Sequence, residues 1–311
     1  MKKKKLELAY NDYWFNFVLS TNPNEIKKVI KEDFLVSDGL KIHLDIYDNR
    51  ANLENTVIFI HGTSVYSRFY AEFCYKLFKK GFRIIMPDMR GHGLSEGKRG
   101  HFTMAHHVKT VYDVVSYALE RFGDKIAVMG SSLGGITSLY SISNDPRIKA
   151  AVCHNAAIFN EKAYKKIAKT KGIKRLLTPL VPFMAKIAPK VSINVFSYLP
   201  PKSLTSSDVG FKLIEHLEKD ILVSMKYTLT SLKAQLSEAM PNPIETIKNP
   251  VMLINGSEDG LFPVEYMKEI YNRLTSDEKK LEIIPRATHF LFQEYIDETM
   301  RRIIPWLNEV L

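Results

Sequence analysis

Cysteine is nearly missing from the chain, with only Cys74 and Cys153 among 311 residues. That excludes a disulfide-built scaffold and suits a reducing compartment. No apolar run approaches the roughly 20 residues that span a bilayer. A secretory leader is not expected either. The lysines at 2–5 imitate its basic start, but Glu7, Asn11, Asp12 and Asn16 interrupt the apolar stretch that would have to follow. The expected location is cytoplasmic. Internal repeats and low-complexity segments are also lacking, which leaves solenoids and disordered tails aside.

What is present is enough for a large core: 45% of the residues are hydrophobic and 25% charged. The net charge of +10 invites a nucleic-acid reading. Its distribution argues against that. The lysines at 2–5, together with eight lysines and Arg175 against Glu161 in residues 161–190, exceed the net charge of the whole chain, so the remainder is slightly acidic. No nucleic-acid recognition motif accompanies the charge.

Strand-like and helix-like runs alternate. Residues 56–60, Thr-Val-Ile-Phe-Ile, form a continuous apolar, β-branched run, as expected of a strand buried on both faces. A helix is expected at 69–80, stopped by Gly81, then a strand at 82–86 and a second helix at about 105–122. Further strands are expected at 125–129, 148–153, 251–254 and 281–284. Helices are expected from the turn at 130–132 to about 143, from near Pro263, and at the end of the chain to about 310. Such alternation implies an α/β fold, a mostly parallel central sheet with helices on both faces. Residues 157–245 break the pattern with helix-like segments, scattered prolines and no strand pair. They are expected to be a helical cap inserted into a catalytic core made of residues 1–156 and 246–311. Ligands of open α/β sheets bind beyond the carboxyl ends of the strands, so a cap there would roof the site.

Gly130-Ser131-Ser132-Leu133-Gly134 fits G-x-S-x-G between an apolar strand and a helix, the setting that lifts a serine hydroxyl above a sheet. Ser131 is a rival nucleophile, but only Ser132 has glycine at both −2 and +2. A serine hydroxyl needs a base, and the base needs a carboxylate to fix its tautomer. Among nine histidines only His289 follows the last strand. His154, after the strand at 148–153, is the other candidate base. His106 and His107, adjacent on a helix, do not share a face for a metal, His92 is expected to shape its glycine loop, and His43, His101 and His216 are read as surface or packing residues. The acid is expected in Gly256-Ser-Glu-Asp259-Gly260, with Asp259 favoured as the turn residue and Glu258 as the alternative. The order Ser132, Asp259, His289 is the one found on α/β-hydrolase sheets. Oxyanion donors are expected from the N–H of Leu133 at a helix start and of Thr63 in the loop His61-Gly62-Thr63-Ser64, with His61 organising that loop.

With those residues in place, the chain resembles the monoacylglycerol lipase and lysophospholipase-like branch of the α/β-hydrolases. The matching segments are His61-Gly62, Pro87-Asp-Met-Arg-Gly-His-Gly-Leu-Ser-Glu-Gly97, Gly130-Ser-Ser-Leu-Gly-Gly135, Gly256-Ser-Glu-Asp259 and Ala287-Thr-His289, in family order. Two departures stand out. Position 131, often histidine in that branch, is serine, and the oxyanion loop is not glycine-rich. The resemblance implies a serine hydrolase of carboxylic esters, with monoacylglycerols or lysophospholipids as substrates.

In the cap, an apolar run follows the basic cluster of Lys171, Lys174 and Arg175. Leu176, Leu177, Leu180, Phe183 and Met184 are expected to bind a medium or long acyl chain, and the basic cluster implies peripheral contact with an anionic membrane. Short-chain ester, aminopeptidase or carbon–carbon hydrolysis, or ligand binding without catalysis, are the alternatives. No metal and no organic cofactor are expected.

Overall fold

The computed structural model describes residues 12–49, 53–167 and 180–311. In chain order its helices are α1 (Pro23–Val29), α2 (Ala71–Lys79), α3 (Met104–Phe122), α4 (Leu133–Asn144), α5 (Lys162–Ile167), α6 (Val181–Ile187), α7 (Asp208–Lys219), α8 (Leu229–Ser237), α9 (Val264–Arg273), α10 (Leu291–Glu294) and α11 (Ile296–Val310). The strands are β1 (Ile30–Ser37), β2 (Leu40–Tyr47), β3 (Thr56–Ile60), β4 (Arg83–Pro87), β5 (Ile126–Ser131), β6 (Ala150–His154), β7 (Ser192–Asn194), β8 (Lys226–Thr228), β9 (Val251–Gly256) and β10 (Lys279–Ile284).

Eight of these form one sheet in the order β1-β2-β4-β3-β5-β6-β9-β10. From β4 to β10 neighbouring strands are parallel, whereas β1 and β2 enter antiparallel. The continuous apolar run of β3 has a simple cause. Val57 and Phe59 point to the side covered by α2 and α11, where Phe73, Leu77 and Trp306 lie, while Ile58 and Ile60 point to the side covered by α3 and α4, where Val111 and Ile136 lie. A strand sandwiched between two helical layers has no face to leave polar.

The antiparallel pair was not read from the sequence, because β2 carries charge inward. His43 and Asp45 are fully buried there. They are held in a cluster in which Arg68 Nε donates to Asp45 at 2.9 Å and His43 Nδ1 lies 3.1 Å from Asp88. His43, expected at the surface or in packing, is therefore part of a buried ionic cluster.

The segment between β6 and β9, called the insertion below, holds α5 to α8 among its described residues. It also contains a short antiparallel ribbon, β7 with β8. The sequence suggested no strand pair here, and three-residue strands are too short to display a period of two. Residues 220–238 are stitched to the loops at the carboxyl edge of the sheet. Ser224 N–H donates to Ser64 C=O at 2.8 Å, Thr228 N–H to Gly100 C=O at 3.0 Å, and Phe102 N–H to Ser231 Oγ at 2.9 Å. By contrast, α6 and its flanks leave Leu180, Phe183, Met184 and Ile187 exposed.

Candidate active site

At the end of β5 the chain turns into α4 at Ser132, whose backbone sits at φ 56° and ψ −119°. A non-glycine residue there is strained, and such strain persists only where the surroundings enforce it. The enforcement is packing. A Cβ at Gly130 would lie 2.3 Å from the Gly134 carbonyl, and one at Gly134 would lie 2.0 Å from the Ile60 carbonyl oxygen. The glycines thus let α4 press against β3 and β5 and drive Ser132 outward. It is half-buried, while Ser131 is buried with Oγ 2.9 Å from His154 Nδ1.

Asp259 ends the turn after β9, and its two oxygens divide the work. Oδ1 accepts from Leu261 N–H at 2.8 Å and Phe262 N–H at 3.0 Å, an Asx turn that leads into α9. Oδ2 accepts from Asn155 Nδ2 at 3.0 Å and lies 2.8 Å from His289 Nδ1. Burial alone would raise this carboxyl, but the adjacent His289, by charge and hydrogen bond, outweighs it and the pKa falls to about 2. Glu258 is exposed and contributes its backbone N–H to Ala287 C=O. Asp259 is the acid the structure brings to His289.

His289 follows β10, and its own N–H donates to Leu204 C=O of the insertion at 3.1 Å. With Nδ1 turned to the carboxylate, Nε2 is left as the basic nitrogen. His289 and Ser132 line one cleft together with Gly62, Thr63 and Tyr70. Thr63 N–H has no hydrogen-bond partner among the described residues. Leu133 is the first residue of α4, where an N–H has no acceptor within the helix and the dipole favours negative charge.

His154, the other candidate base, is fully buried. Desolvation, reinforced by the charge of His289, lowers its pKa to about 3, so it is a poor proton acceptor near neutrality. Its ring centroid is 5.5 Å from that of His289. His154, Asp259 and His289 offer ligand atoms within 4.8 Å of one another, as do Glu32, His43 and Asp45. Two members of the first set are already hydrogen-bonded together, and in the second Asp45 is tied to Arg68.

The residues expected to bind an acyl chain are not found along this cleft among the described residues. Leu180, Phe183 and Met184 are exposed and do not line the cleft, while Leu176 and Leu177 lie outside the described residues. In their place the insertion supplies Val195, Phe196, Leu199, Leu204, Leu217 and Met225. The physical reason is local: Pro182 opens the short helix α6, which buries only Ala185 and turns its larger side chains outward. Sequence reasoning also missed Asn155 and Tyr227. Asn155 followed a strand end beside His154, which was its one available signal; Tyr227 gave none.

A family model described as serine aminopeptidase, S33, matches residues 51–295, and the chain belongs to this α/β-hydrolase family. Among solved structures, a monoacylglycerol lipase from Paleococcus ferrophilus superposes with a TM-score of 0.71 at 25% identity, covering 87% of this chain and 99% of that one. A soluble variant of monoglyceride lipase from Saccharomyces cerevisiae, bound to a substrate analogue, gives a TM-score of 0.73 at 17% identity, over 90% of this chain and 95% of that one. A monoacylglycerol lipase from Mycolicibacterium smegmatis is 22% identical over 264 residues, 82% of this chain and 88% of that protein. An uncharacterized abhydrolase domain-containing protein from Dictyostelium discoideum is 24% identical over 289 residues, and the match spans only 29% of its length.

Proposed function

We propose that the protein hydrolyses carboxylic esters through an acyl-enzyme on Ser132, with His289 as general base and acid and Asp259 orienting it. The observation that carries this reading is the 2.8 Å contact of Asp259 with His289, facing the same cleft as the strained Ser132. Ser132 Oγ attacks the ester carbonyl as His289 Nε2 takes its proton, and Thr63 and Leu133 N–H receive the oxyanion. His289 then protonates the departing alcohol, and water activated by the same nitrogen releases the acid.

The favoured substrates carry a medium or long acyl chain, as monoacylglycerols and lysophospholipids do. Support comes from the apolar side chains over the cleft and from relatives named as monoacylglycerol lipases. The family's aminopeptidase description suggests the competing reading. A peptide amino terminus needs a carboxylate partner, and none of the described residues lining the cleft is acidic. The exposed apolar residues of α6, beside Lys186 and Lys190, further support docking of the insertion on an anionic membrane, on the cytoplasmic side where free Cys74 and Cys153 are stable.

Fluorophosphonate labelling tests the nucleophile: Ser132→Ala abolishes it and Ser131→Ala retains it, whereas the reverse pattern would move the reaction to Ser131. Asp259→Asn lowers kcat on the order of 10⁴-fold. p-Nitrophenyl esters from acetyl to dodecanoyl should show kcat/KM rising with chain length, measured beside aminoacyl amides. Strict acetyl preference removes the acyl-chain reading, and faster amide cleavage would favour the aminopeptidase.

A further inference from the structure

The loop that presents Thr63 is short of glycine beyond Gly62, so its shape has to be imposed from outside. Ser64 adopts φ 71°, a left-handed conformation that costs a non-glycine residue on the order of 1 kcal/mol or more. Both backbone polar groups of Ser64 are taken by the insertion. Its C=O accepts from Ser224 N–H at 2.8 Å, and its N–H donates to the Tyr227 hydroxyl at 2.8 Å. The near end of the loop is pinned as well. His61 Nε2 accepts from Met89 N–H at 3.0 Å, which leaves the proton on Nδ1, 2.9 Å from Gly62 C=O. Thr63 is the residue between the two anchors.

The Tyr227 hydroxyl is itself oriented. His92 Nδ1 lies 3.1 Å from the Arg90 carbonyl, which can only accept, so His92 carries its proton on Nδ1 and its Nε2 is bare. That Nε2 is 2.7 Å from the Tyr227 hydroxyl and accepts its proton, and the phenol oxygen is thereby turned toward Ser64 N–H. Tyr227 is fully buried and cannot trade these partners for water. His92 stays neutral near neutral pH, because burial lowers its pKa to about 3.

We propose that Tyr227, a residue of the insertion, is a positioning residue for catalysis: clamped between Ser64 N–H and His92 Nε2, its hydroxyl aims Thr63 N–H at the oxyanion formed over Ser132. The proposal rests on the serine-hydrolase reading above. An oxyanion donor is effective only within a few tenths of an ångström of its target distance, so a loop that relaxes loses transition-state stabilisation while the apolar cleft goes on binding substrate.

Tyr227→Phe removes one oxygen and keeps the ring. Steady-state kinetics on the preferred ester should show kcat falling about 10- to 100-fold with KM unchanged. The inhibition constant of a trifluoromethyl ketone, which forms an oxyanion on the serine, should weaken by the same factor, and Tm should fall through the loss of the two buried hydrogen bonds. Should that variant not fold, His92→Phe strips the acceptor that orients the hydroxyl, and the same split between kcat and KM is expected. Wild type that labels with fluorophosphonate, beside a Tyr227→Phe enzyme of undiminished kcat and ketone affinity, overturns the clamp alone. A kcat loss matched by a KM rise, with ketone affinity unchanged, overturns it too. Failure of folded wild type to label removes the hydrolase reading and the clamp with it.

Discussion

Asp259 shows how much one side chain can be asked to do. One oxygen shapes the turn into α9 and the other faces His289, so the turn-forming and charge-stabilising roles that compete on paper are compatible in space. Its position was legible because it precedes Gly260 in a tight turn after a strand. Asn155 was not, since its amide reaches Asp259 only through the pairing of β6 with β9. His43 makes the same point with a measurable consequence. Burial opposes its protonation, but hydrogen bonds to Asp88 and Glu32 and the charge of Asp45 prevail and raise its pKa to about 10. A group whose pKa rises on folding stabilises fully below its unfolded value, near 6.5, and loses that contribution as pH climbs toward 10. Urea unfolding should therefore give lower stability at pH 9.5 than at pH 7. His43→Gln should cost roughly 3 kcal/mol at pH 7 and flatten the alkaline decline.

Among the elements, those with uniform apolar character were readable and those with mixed character were not. β3 declared itself because both faces are covered; the β1–β2 pair did not, because the inward His43 and Asp45 of β2 are intelligible only once Arg68 and Asp88 are beside them. The start of α3 illustrates a contact invisible in sequence. Thr103 Oγ1 accepts from His106 N–H, as local pattern would allow. The next free donors, Met104 and Ala105 N–H, reach instead the carboxylate of Glu238, at 3.0 and 2.7 Å, from the far end of the insertion. Glu238→Ala should lower stability by about 1 kcal/mol in urea unfolding, through loss of this anionic cap. No loss would mean that water replaces it fully.

Across the whole molecule the insertion has two characters. Residues 220–238 are bonded into the core, whereas α6 turns apolar side chains to solvent near Lys186 and Lys190. If α6 docks on membranes, Phe183→Ser with Ile187→Ser should reduce co-sedimentation with anionic vesicles while leaving hydrolysis of a water-soluble ester intact; equal binding by the double variant would remove α6 as the docking element. The insertion was the least legible part of the chain. Its cleft-lining residues come from short, irregular pieces, and no periodicity announces which of them face inward.

Gly100 carries a last consequence. A side chain there would stand 2.0 Å from the Lys226 carbonyl oxygen, so the core has a notch cut to the outline of this particular insertion. The insertion of this protein therefore cannot be exchanged for one of another outline while Gly100 and its surroundings are kept. A chimaera carrying a relative's cap would have to bring the matching notch with it, and selectivity grafted without that fit would arrive in a protein that no longer closes on itself.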